Sequence, residues 1–162
     1  MRDGQAKGRV LTMTTLTIER LTDAFELLTD WQERYDYISE LGRKLPPMPE
    51  AEKTDASRVH GCISRVWVTG RLTGAPPVMA YHADGEGPII RGLVALLVML
   101  FEGKTPDEVL GLDAEGLIEK LGLDENLSPN RHIGMYAMVE KIKAIARTAA
   151  TPESTQPVPG SA

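Results

Sequence analysis

One residue in this sequence stands apart chemically. Cys62, within "SRVHGCISRVWV" (Ser57 to Val68), is the single cysteine among 162 residues. A cysteine kept for packing sits in an apolar helix or mid-strand as a small inert hydrophobe. Cys62 instead follows Gly61 and lies between two short β-prone runs, where a chain turns. Glycine lets the backbone turn sharply and leaves the thiol accessible. Arg58, His60 and Arg65 put positive charge near the sulfur. Cationic neighbours lower a thiol pKa from its reference of about 8.5 and raise the reactive thiolate fraction. The pattern predicts a reactive thiol.

The other polar residues give this thiol little hydrolytic company. A cysteine hydrolase needs a histidine base in reach and a third group to orient it. His60, two positions away in an extended segment, points to the other face. His82 and His132 read as half-exposed polar residues. Asp84 and Glu86 in "HADGEGP" read as caps complementing the dipole of the helix that follows. That loop is too short for a phosphate cradle and lacks the following Gly-Lys-Ser/Thr. Arg91 lies on an otherwise apolar helix, so it must snorkel or meet a carboxylate. Arg131 falls in a first helical turn, where the dipole prefers anions, and so suggests binding of something negative. No cluster has metal-ligand spacing and no dinucleotide loop is present, so neither metal nor cofactor is expected.

Composition narrows the setting. A chain of 17.7 kDa suits one domain with a substantial core. Net charge of −5 and a pI near 5.2, with no basic stripe, argue against nucleic acid. One cysteine makes neither an internal disulfide nor a multi-cysteine metal site, and an unpaired thiol suits a reducing compartment. The N-terminal segment lacks a signal-peptide core, and "LVALLVMLF" (Leu93 to Phe101) is too short to span a bilayer. The expectation is a cytoplasmic protein without a membrane partner.

The elements that must position Cys62 follow from periodicity. Ile18, Leu21, Phe25 and Leu28 mark an amphipathic helix. Asp30 caps a second, with Trp31, Tyr35, Ile38 and Leu41 on its apolar face and Gly42 as its stop. The proline-rich "PPMPEAEKTD" reads as loop. "ISRVWV" and "VMAYHA" read as antiparallel strands, with "SRVH" as a possible short third. Pro88 opens a helix apolar nearly all round to Phe101, ended by Gly103. "TPDE" at Thr105 has the features of a capping box, "AEGLIEKL" is a short helix stopping at Gly122, and Ser128-Pro129 starts the last. That helix shows Ile133, Tyr136, Val139, Ile142 and Ile145 on one face. The fold class is α+β: a small antiparallel sheet with helices packed on one face. A single domain over 17–149 is expected between disordered tails at 1–16 and 150–162.

These residues resemble the SufE family of sulfur acceptors. Its signature, Val-x-Gly-Cys-x-Ser-x-Val-Trp, is matched by Val59, Gly61, Cys62, Ser64, Val66 and Trp67. "ADGEGPIIRGLVALL" is similar to the family's acidic loop and following helix, through Asp84, Arg91, Gly92 and Leu93. "LSPNRHIGMYAM" matches a third block through Ser128, Pro129, Arg131, Gly134 and Met138. The resemblance spans roughly Ile18 to Arg147. It departs at Gly85-Glu86-Gly87, where the family commonly has Ser-Asp-Ala, and His60 falls at a variable position.

The resemblance implies a SufE/IscU-like fold and a persulfide relay. Cys62 would take sulfane sulfur from a SufS-type cysteine desulfurase, stimulate it, and pass the sulfur to a SufB-containing scaffold for iron–sulfur cluster assembly. Pyridoxal phosphate belongs to the desulfurase. Val59, Gly61, Ser64, Trp67, Asp84, Arg91 and Arg131 would support the cysteine or contact the partner. A lone thiol suits such exchange, because a second would resolve the persulfide into a disulfide and release the sulfur. The rival readings are a CsdE-like acceptor for another desulfurase, an IscU-like scaffold, which needs about three thiolates, and a one-cysteine peroxidase.

Overall fold

A computed structural model describes residues 18–150; the expected tails lie outside the described residues, except for Ala150 at the end of the last helix. Two helices come first, α1 (Ile18–Leu27) and α2 (Trp31–Arg43). Asp30 caps α2 as its sequence predicts, its side chain accepting from the Glu33 amide. Arg34 closes the corner by donating to the carbonyls of Phe25 (2.8 Å) and Leu28 (2.9 Å), which α1 leaves without helical partners. Leu21, Phe25, Ile38 and Leu41 are buried.

The next segment is loop with one 3₁₀ turn, Glu50–Glu52, where the sequence predicts loop throughout. A two-stranded antiparallel sheet follows: β1 (Val66–Thr73) and β2 (Val78–Gly85), paired from Val66 with Gly85 to Thr73 with Val78. The hairpin is longer than the alternation suggests, because Thr69 to Thr73 extend β1, while Ile63 to Arg65 stay outside it. The expected third strand is reduced to one bridge, Arg58 with Trp67. Gly61 and Cys62 break the run before a second pair can form.

One face of the sheet presents Val66, Val68, Met79, Tyr81 and Ala83, all buried. Against it lies α3 (Pro88–Phe101), buried along most of its length and followed by Gly103 at φ +78°. The short helices α4 (Pro106–Gly111), α5 (Ala114–Lys120) and α6 (Leu123–Asn126) lead to α7 (Pro129–Ala150). Thr105 and Glu108 form the predicted capping box. Among the described residues no helix is long and apolar enough to cross a membrane.

Two expectations are corrected by packing. Gly42 lies inside α2 and does not stop it. A Cβ there would come within 2.7 Å of the Gly92 amide nitrogen, and one on Gly92 within 2.2 Å of the Ile38 carbonyl oxygen. These glycines let α2 and α3 cross nearly backbone to backbone. The buried face of α7 is also rotated: Met135, Met138, Val139, Ile142 and Ala146 are buried, while Ile133 is exposed. Met135 and Met138 belong to that face, so a stripe drawn through the branched and aromatic residues alone falls to one side of it.

Gly92→Ala, which would force the crossing apart, is expected to lower the urea unfolding free energy by about 2–3 kcal/mol. Gly111→Ala, with nothing within 4 Å of the added carbon, is expected to stabilise by about 0.5 kcal/mol. Equal effects at the two sites would refute the close crossing.

Candidate functional site

The Cys62 loop is tied at its base. Val59 donates to the Val66 carbonyl (2.8 Å) and Val68 to the Ser57 carbonyl (2.9 Å), closing a loop of His60 to Arg65. The buried Ser57 hydroxyl bonds the Glu52 carbonyl at 2.6 Å, and Lys141 of α7 donates to the Ala56 carbonyl at 2.7 Å. Gly61 then takes φ +96°, a left-handed conformation that favours glycine. A fixed base and a sharp turn hold the thiol in place.

The loop seats on α7. Ser128 starts that helix, its hydroxyl accepting from the Arg131 amide at 3.3 Å. A Cβ on Gly134 would stand 2.9 Å from the Cys62 sulfur, so the absent side chain makes room for it. A cleft of about 270 Å³ opens at the thiol, lined by Ile63, Ser64, Ile90, Asn130, Arg131 and Met138, with Ser128 at its edge. The lining mixes apolar side chains with hydroxyls, an amide and a guanidinium.

Cys62 is half-buried. Burial pushes its thiol above the ordinary value, while a hydrogen bond from the Ser64 backbone and the Arg58 charge pull it partly back. This corrects the expected low pKa. Two of the three nearby groups expected to supply positive charge are engaged elsewhere: His60 with Asp55, and Arg65 3.8 Å from Glu86. Desolvation therefore wins. None of the three histidines lines the cleft; His82 bonds Glu52 at 2.8 Å and His132 stacks edge-on against Tyr136.

The other sequence candidates divide into two groups. Gly61, Ser64 and Arg131 gather at the thiol. Val59 is buried in the core beside Val66, so the apolar part of the lining comes from Ile90, Met138 and the largely exposed Ile63. Trp67 and Asp84 are cross-strand partners on the far face of the sheet, where the Lys53 ammonium lies 5.1 Å from the Trp67 ring. Asp84 does not cap α3. Its carboxylate pairs with Arg91 and with Lys53 (3.3 Å) and accepts from the Gly85 amide. Arg91 also donates to the carbonyls of Leu45 (2.9 Å) and Gly42 (3.3 Å). Gly87 holds the N-cap position without a side-chain bond.

Sequence reasoning left Ile90, Asn130 and Lys53 out of the candidate set. One available signal was Gly134: a glycine inside a helix costs about 1 kcal/mol against alanine, so it marks a close approach. A larger groove, about 490 Å³ between Gly70–Leu72 and the C-terminal half of α7, shares no lining residue with the cleft and carries no cysteine, histidine or acid.

The SufE family model, described as an Fe-S metabolism associated domain, matches residues 19–146. An uncharacterized SufE-like protein of Rhizobium etli is 39% identical over 146 residues, covering 89% of this chain and 97% of that protein. One from Rhizobium meliloti is 37% identical over 132 residues, covering 80% and 94%. The solution structure of a hypothetical protein from Thermus thermophilus superposes with a TM-score of 0.65 at 26% identity, covering 80% of this chain and 94% of that one. With its family model spanning most of its length, this chain belongs to the SufE family, whose domain is associated with iron–sulfur metabolism.

Proposed function

We propose that the chain is a sulfur acceptor and carrier that works by a persulfide on Cys62. The donor is a cysteine desulfurase of the SufS type, and the recipient is a SufB-containing scaffold for iron–sulfur cluster assembly. The observation that carries this reading is a lone thiol on a tied turn, opening into a cleft lined by both apolar and polar side chains. Membership of a family associated with iron–sulfur metabolism gives that thiol its context.

The chemistry is exchange at sulfur without net redox change. Cys62 gives its proton to solvent and attacks the outer sulfur of the donor's persulfide. The donor's S–S bond breaks, a new one forms to Cys62, and the donor cysteine leaves as thiolate, free for another turnover. Loss of that persulfide from the donor is what stimulates the desulfurase. The same exchange in reverse sense delivers the sulfur onward. A raised thiol pKa keeps Cys62 protonated and quiet between encounters, which limits its oxidation. Arg131, exposed and lining the same cleft as the thiol, supplies positive charge for the transferred anionic sulfur. The backbone amides of the first turn of α7 add to that positive end.

Cys62→Ser is expected to abolish stimulation of the desulfurase while holding the melting temperature within about 3 °C of wild type. A serine variant that stimulates normally would remove the relay. Arg131→Ala is expected to melt within a few degrees of wild type and to lose much of the stimulation. If its activity is unchanged, or falls only in step with stability, Arg131 leaves the site.

A further inference from the structure

The glycines of the long helices divide by what stands opposite them. Gly42 and Gly92 face the backbone of the helix they cross, so their missing side chains serve the fold. Gly134, in the second turn of α7, faces something else. Leaving aside its own helix, two atoms of the described residues lie within 4 Å of a Cβ added there. Both belong to Cys62: Sγ at 2.9 Å and Cβ at 3.7 Å. Three residues on, the Ala137 methyl is 3.5 Å from where a Cβ on Gly61 would stand. Residues three apart share a helix face, so Gly134 and Ala137 receive Gly61 and Cys62 as a pair. Glycine inside a helix is disfavoured against alanine, because it loses more conformational freedom on folding. At position 134 no helix crossing uses the missing side chain; the thiol does.

We propose that Gly134 is a positioning residue for Cys62, its missing side chain forming a seat that fixes how deeply the sulfur sits against α7. The loop is tied at its base by the bonds of Val59 and Val68, and near its tip by this contact. A methyl in the seat would bring carbon and sulfur to 2.9 Å, below the 3.4–4 Å of ordinary contact. The group that must give way is the end of one side chain, and the open space beside it is the thiol cleft. Gly134 thus sets the balance between a thiol shielded on the helix and one displaced into the cleft. The proposal deepens the relay reading, which rests on the same sulfur, but it concerns the placement of Cys62 in the protein alone.

Two measurements test it. The first is a double-mutant cycle in thermal unfolding. Cys62→Ala removes the sulfur and keeps the Cβ, whose 3.7 Å distance is an ordinary contact. In that background Gly134→Ala is expected to raise the melting temperature by about 2–4 °C, as helix propensity dictates once the seat is empty. With Cys62 present, the same substitution is expected to give no gain. Equal shifts in the two backgrounds would overturn the proposal. So would unfolding of Gly134→Ala in both, which would make Gly134 a residue of the fold. The second measurement is alkylation by iodoacetamide at neutral pH, in which the Cys62 thiolate displaces iodide from the reagent. Gly134→Ala is expected to react about three- to tenfold faster than wild type, because a displaced sulfur escapes the burial that disfavours its thiolate. Gly111→Ala, with nothing within 4 Å of the added carbon, is the control and keeps the wild-type rate. A folded Gly134→Ala chain alkylated no faster than wild type would overturn the proposal. Neither measurement uses a desulfurase, so failure of the relay would show in stimulation of that enzyme and leave both readouts untouched.

Discussion

The Arg91–Asp84 ion pair ties together the end of the sheet, the buried helix α3 and the end of α2. Arg91 is the single charged residue on α3, and it meets the buried Asp84 of β2 while its second amino group reaches the Leu45 and Gly42 carbonyls. Lys53 approaches Asp84 from the far face and lies against Trp67. Asp84 is buried and Arg91 partly so, so removing one partner costs less than the roughly 3–5 kcal/mol of a fully buried pair but still leaves the other uncompensated. Ile90, one residue before Arg91 on α3, lines the thiol cleft.

The site itself balances two opposed terms. Burial against Gly134, Ile90 and Met138 raises the thiol pKa, while the Ser64 backbone and Arg58 lower it. A fully exposed cysteine with the same cations would be more reactive and more easily oxidised; a fully buried one would be inert. Half-burial in a cleft of mixed lining lies between these limits. Under the relay proposed above, it would suit a sulfur that reacts with one protein and keeps its cargo until it meets another.

Much of this was legible in the residues. Gly61-Cys62 announced its turn, Asp30 and Thr105 their caps, and Pro88 to Phe101 its burial, because each depends on local chemistry. What escaped depended on contacts between distant segments. Gly42 resembles a helix stop until Gly92 and Ile38 stand opposite it. Asp84 looks like a cap for α3 until Arg91, one turn into that helix, claims it. The arginines and histidine near Cys62 looked like one positive cluster, and only tertiary structure shows Arg65 and His60 spoken for. The family signature compensated for this at the site, since it carries Ser64, Arg131 and Gly134 without requiring their geometry to be known.

The central claim is that Cys62 itself carries the sulfur. Intact-mass measurement tests it most directly, after incubating the protein with a SufS-type desulfurase, pyridoxal phosphate and free cysteine under anaerobic conditions. The account predicts a mass increase of one sulfur atom on the wild-type chain, mapped to the peptide containing Cys62, removed by a thiol reductant and absent from Cys62→Ser. An unmodified wild-type chain after many desulfurase turnovers, or the same added mass on the serine variant, would contradict it.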